Sequence, residues 1–158
     1  MKPTLLDPGL SSLDALTGCE SVCALVLEDE RPLQGAVGFL DWRLCGALSR
    51  ALKSGFFSGQ PGEKLLLPSE QRISAGRVFA IGVGKRAGVT QLGLEHALST
   101  AATMLTKAGA TSAALALPRL ALEDEVVAGV VKRAFLQSFG THVTLFAEKA
   151  IQAHVRAG

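Results

Sequence analysis

The chain has 158 residues, 48% of them apolar and 19% charged, which suits one folded domain with its own core and excludes a disordered chain. The formal net charge is only +2, so the overall balance points to neither nucleic acid nor a membrane surface. No apolar run approaches the ~20 residues that cross a bilayer. Met1 to Pro8 lacks the apolar centre of a signal peptide, so the expected compartment is the cytoplasm.

Thr4 to Leu6 can form a short first strand, ended by Asp7-Pro8-Gly9. Ser11 to Leu16 suits one helical turn before Gly18. Val22 to Leu27 is a uniformly apolar run that reads as a buried strand, closed by the charged loop Glu28-Asp29-Glu30-Arg31-Pro32. A helix is expected from about Gly35 to Lys53. Leu40, Leu44, Ala47, Leu48, Ala51 and Leu52 make its apolar stripe, and Gly55 stops it. Phe56 to Glu63 is a loop with two adjacent aromatics, which suggests either a subunit contact or partial burial under the loop. Lys64 to Pro68 is a short strand, and Ser69 to Ala75 is a polar connection.

Val78 to Val83 is the second uniformly buried run, and Gly82 and Gly84 let the backbone turn tightly at its end. Thr90 is placed to cap a helix reaching about Ala108, with Leu94, Leu98, Ala101 and Leu105 facing the core and Gly109 beyond. Ser112 to Leu117 is a strand ended by Pro118. Glu123-Asp124-Glu125 opens a long helix at its positive end, Lys132 and Arg133 lie nearer its negative end, and Gly140 follows it. His142 to Ala147 is a last strand. Lys149 to Gly158 suits a helical tail whose apolar residues look too sparse to anchor it.

Strands alternating with full helices predict a three-layer α/β/α fold with a mixed, mostly parallel central sheet, in a single domain over 1–158. The link from Leu67 to Val78 is too short for a helical crossover, so that pair should be antiparallel.

An ordered set of segments carries a resemblance. The first part is Leu40-Asp41, then Gly46-Ala47-Leu48-Ser49, then Leu52-Lys53-Ser54-Gly55-Phe56-Phe57-Ser58-Gly59-Gln60-Pro61-Gly62-Glu63. The second is Arg77-Val78-Phe79-Ala80-Ile81-Gly82-Val83-Gly84-Lys85. Together they resemble the N-terminal domain of the leucyl aminopeptidases, peptidase family M17, from about Thr4 to Glu148. Gln60 departs from the usual Lys of the loop, and Val83 from the usual Leu between the glycines. The resemblance implies a macro-domain-like fold that holds no metal and serves in assembly of a hexamer and in shaping access to a catalytic half. The Asn-Thr-Asp-Ala-Glu-Gly-Arg stretch of that half is not among these residues. The resemblance therefore implies a free-standing relative with no catalytic residue and no cofactor.

The residues themselves suggest one binding site. Gly82, Gly84, Lys85 and Arg86 could bind a small anion, since successive glycines expose backbone N–H groups and two cations add charge. The alternative is a plain glycine turn with solvated cations. Phe79 stands where a P-loop needs its first glycine, and the spacing is not that of a dinucleotide fingerprint. Cys19, Cys23 and Cys45 are an odd set without a disulfide framework or zinc spacing, and Cys23 and Cys45 are expected to be buried thiols. His96, His142 and His154 are far apart in sequence, so no metal site is expected. Asp41 reads as an exposed helix charge or a cap near its helix N-terminus.

Three functions are compatible with these features. The first is a non-catalytic domain that self-associates or docks on a protein partner. The second is a macro-like module for a nucleotide or ADP-ribose-type ligand. The third is a hydrolase in its own right, a metal-dependent aminopeptidase-related protein whose label is inherited from the family. Neither nucleic acid nor membrane is expected as a partner.

Overall fold

The structure, a computed structural model, describes residues 2–139 and 142–157. The predicted stop at Gly140 and the end of the tail at Gly158 lie outside these residues. The elements run β1 Thr4–Leu6, α1 Leu10–Asp14, β2 Ser21–Leu27, α2 Gly35–Arg43, α3 Ala47–Ser54, β3 Lys64–Pro68 and β4 Arg77–Gly84. They continue with α4 Gln91–Lys107, β5 Ser112–Ala116, α5 Asp124–Val131, a π-helical turn at Lys132–Leu136 and α6 Gln137–Phe139. β6 His142–Phe146 and α7 Lys149–Ala157 complete the chain.

One six-stranded sheet has the order β1-β6-β5-β2-β4-β3. Only β3 and β4 pair antiparallel, as the short link between them requires; the other pairs are parallel. Each central strand is apolar on both faces because each face meets a helical layer. Val22, Ala24 and Val26 of β2 pack with Leu40, Leu48 and Leu52 of α2 and α3. Cys23, Leu25 and Leu27 pack with Leu94 and Leu98 of α4 and with Val130 and Phe135. The mixed α/β/α sandwich follows.

Four expectations need correction. The helix expected over Gly35 to Lys53 is two helices, broken at Leu44-Cys45-Gly46, where Cys45 (φ 55°) and Gly46 (φ 80°) are left-handed. Leu40, Leu44, Leu48 and Leu52 are all buried on either side of the break, so the sheet-facing stripe survives it and the periodicity conceals it. Cys45, in that turn, is exposed rather than buried. Asp41 is neither an exposed charge nor a cap of its own helix. It is buried, and its carboxylate accepts from the Leu48 N–H at 2.8 Å, the Ser49 N–H at 3.2 Å and the Ser49 hydroxyl at 2.5 Å. It thus caps α3 from the preceding helix, supplying acceptors for amides that no earlier turn can satisfy.

The tail is also better anchored than its composition suggests. Ile151 and Val155, one turn apart, are buried in the core, and so is Gln152. The Gln152 amide donates to the Asp7 carboxylate at 2.9 Å and to the Ala147 carbonyl at 2.7 Å. Thr90 caps α4 as expected, accepting from the Gly93 N–H at 3.0 Å. No helix among the described residues is long and apolar enough to cross a membrane.

Candidate functional site

The four residues read as an anion site lie together at the exit of β4, but their donors are largely committed. The Gly82 N–H donates to the Glu63 carbonyl and the Gly84 N–H to the Gly59 carbonyl, both at 2.9 Å. A Cβ on Gly82 would stand 2.2 Å from the Gln60 carbonyl oxygen and 2.5 Å from the Gly59 carbonyl carbon. The glycine is there so that the loop 59–63 can lie directly against the strand. The two separated motifs of the sequence are thus one packed unit. Glu63 closes it by accepting from the Gln60 N–H at 2.9 Å, the Ser58 N–H and the Ser58 hydroxyl. The Ser58 hydroxyl is the main reason the Glu63 carboxyl is held below its ordinary range.

Lys85 is exposed. The Arg86 N–H donates to Asp29 at 2.9 Å, and its guanidinium pairs with Glu30 at 2.5 Å. The Glu30 side chain is 5% exposed, and its other oxygen accepts from the Gln34 N–H at the start of α2. Glu30, seen in the sequence only as part of a charged loop, is therefore a buried anchor for both β4's exit and α2's entry. A loop acid four residues before a helix start was the one available signal for it.

This pair walls one side of a crevice of about 250 Å³. The crevice opens at the carboxyl ends of β2, β5 and β6 and continues along the first turns of α2 and α5. From β2 the chain proceeds to β3 and β4 on one side, while β5 and β6 lie on the other, so this is the switch point of the sheet, where open α/β sheets take ligands. Its charged lining is Glu30, Asp124 and Glu148 against Arg86 and Arg119. Carboxylates outnumber guanidiniums there, and Arg119 lies 3.5 Å from Glu148. Neither the amides nor the side chains leave a strong surplus of positive charge for an anion.

The remaining titratable groups do not converge. His96, His142 and His154 are exposed on α4, β6 and α7. Among the described residues no group of three or more His, Cys, Asp or Glu side chains is placed to hold a metal. Burial pushes the Cys19 thiol up to about 11 and the Cys23 thiol up to about 12. Cys45, at the α2–α3 turn, accepts from the Arg72 guanidinium at 2.6 Å.

The other unusual surface is aromatic. Trp42 is 70% exposed and Phe56 78%, and Phe39, one turn before Trp42, is exposed as well. Phe57, beside Phe56, is buried, so the adjacent aromatics divide between core and surface. Trp42 lies off the buried Leu40-Leu44-Leu48 stripe, and nothing in the sequence flagged it as a contact. With Leu33, Cys45, Arg43 and Arg72 it lines an open concavity of about 860 Å³.

Comparison with known proteins gives one family and one fold. Residues 24–139 match the model of the cytosol aminopeptidase family, N-terminal domain. A probable cytosol aminopeptidase of Pseudomonas syringae pv. syringae is 34% identical over 104 residues, 66% of this chain and 21% of the relative. The chain spans about a fifth to a quarter of the length of the curated relatives it matches. A tomato leucine aminopeptidase variant superposes over 99% of this chain and 35% of its own, with TM-score 0.63 and 18% identity. The macro domain of ganglioside induced differentiation associated protein 2 superposes over 99% of this chain and 81% of its own, with TM-score 0.74 and 12% identity. At such identities the two structures speak for the fold alone.

Proposed function

Since this chain belongs to the cytosol aminopeptidase family, as its N-terminal domain, we propose that it is a non-catalytic assembly domain, acting in the cytoplasm, that self-associates through its α2–α3 side. The observation that carries this is Trp42, 70% exposed on a helix whose other face is core. Tryptophan is the side chain that most often anchors interfaces, since it buries a large rigid area at little entropic cost. Phe39, on the same helix, and Phe56, just after α3, are exposed aromatics as well.

Light scattering over rising protein concentration tests the reading. The wild type is expected above its 16.4 kDa monomer mass, and Trp42→Ala with Phe56→Ala is expected to return it there. A wild type that stays monomeric at high concentration would remove self-association. Hydrolysis of a leucyl amide with added manganese or zinc would remove the non-catalytic part.

A second reading is supported by position alone. The crevice at the sheet's switch point is where a macro-like module would hold a nucleotide or ADP-ribose-type ligand. Calorimetric titration with ADP-ribose decides it: heat that disappears in Lys85→Ala, Arg86→Ala supports the reading, and no heat at millimolar ligand ends it.

A further inference from the structure

The surface around Trp42 is basic as well as aromatic. Arg43 and Arg72 line the concavity, and the Arg50 guanidinium donates to the Cys45 carbonyl on its rim. Arg50 and Lys53, one turn apart on α3, are exposed and have no ion-pair partner among the described residues. Arg72 meets Glu70 only at 3.8 Å, with both side chains exposed, and Arg43 is paired with Asp14. The one carboxylate lining the concavity, Asp41, is buried with both oxygens occupied by α3. A polypeptide seated there would meet an aromatic anchor beside the guanidinium groups of Arg43, Arg50 and Arg72.

The opposite layer carries the complement. Glu123, Asp124 and Glu125 are consecutive, exposed and, among the described residues, not ion-paired. They sit at the start of α5, the end of a helix where acidic side chains are favoured. Partly exposed Leu122 precedes them and Val126 follows. An apolar anchor beside carboxylates is the chemistry that the Trp42 concavity fits.

We propose that the Trp42 concavity of one copy takes the Leu122–Val126 acidic turn of a second copy, in a head-to-tail contact. This rests on reading the α2–α3 side as an assembly surface, and it adds which surface of the second copy is bound. The two surfaces differ and lie on opposite layers of the sandwich, so the contact is heterologous and propagates to a ring or an open array. Because the rim contacts are charge pairs, the assembly weakens as salt rises.

Two charge-reversed chains test it. One carries Glu123→Lys, Asp124→Lys and Glu125→Lys; the other carries Arg50→Glu and Arg72→Glu. Trp42 is the chain's one tryptophan, so its emission reports the concavity directly. Each reversed chain alone is expected to need at least about tenfold more protein to assemble, the scale of one lost charge-assisted contact. Mixing the two is expected to restore both the mass and the blue shift of Trp42 emission, which a misfolded variant could not do. A wild type that assembles while both reversals leave its mass unchanged overturns this contact and leaves the assembly reading standing. Reversed chains that dissociate but do not recover on mixing also overturn it. A wild type that never assembles overturns both.

Discussion

A methyl group on Gly82 would sit against backbone atoms of the loop 59–63, which cannot move aside as a flexible side chain would. Gly82→Ala is therefore expected to cost about 3 kcal/mol or more in chemical denaturation, by forcing the loop off β4. The same reasoning separates the cysteines. Cys19 and Cys23 are buried thiols with raised pKa values, whereas Cys45 is exposed in a left-handed turn with a guanidinium at its sulfur. In mildly alkaline buffer a thiol reagent is expected to modify Cys45 rapidly in the native chain, and all three cysteines only after denaturation. Two fast thiols in the native chain would contradict the burial of Cys19 and Cys23. Apolar context suggested that Cys45 was buried; the left-handed turn it shares with Gly46 turned it outward.

At the scale of elements, α3 depends on a side chain outside it. Asp41→Ala removes three accepted hydrogen bonds at the start of α3 and is expected to lower stability by about 2 kcal/mol, read as a shift of the urea midpoint at unchanged slope. The loop that covers Gly82 depends likewise on Glu63. Its folded-state carboxyl pKa lies below the ordinary 4.5, so its contribution is present above that value and is lost as pH falls through the folded one. Glu63→Gln is expected to be less stable than wild type at neutral pH, with the gap closing in acid; a gap that persists unchanged in acid would show that the carboxylate's charge is not what holds the loop. The helix broken at Cys45-Gly46 could not be read from periodicity, because leucines four apart keep one face on both sides of the turn. The tail shows the reverse. Ile151 and Val155 are few, but one bonded glutamine and a waiting groove beside α5 suffice to seat them.

For the whole molecule, two surfaces remain for function. The crevice at the carboxyl ends of the strands is where the fold favours ligands, yet its charged lining is balanced slightly toward carboxylate. On the aromatic and basic α2–α3 side Trp42 is largely exposed, and the complement proposed for it lies across the sheet at Glu123-Asp124-Glu125. Assembly through that side should leave Trp42 emission insensitive to ADP-ribose and sensitive to protein concentration and salt. The opposite pattern in a fluorescence titration would move the function to the crevice.

The linear chain determined the alternation of strands and helices, the antiparallel β3–β4 pair and the family, because hydrophobic period, short links and ordered motifs are local properties that survive any arrangement in space. It did not determine what Gly82 and Gly84 are for. Glycine-rich turns look alike whether their amides are open or occupied, and only the loop folded onto β4 shows that Glu63 and Gly59 already accept them. Nor could it pair Arg86 with Glu30, 56 residues apart, or place the cations of α3 and the acids of α5 on opposite layers. Those facts come from how strands are ordered in the sheet, and strand order depends on contacts between segments distant along the chain.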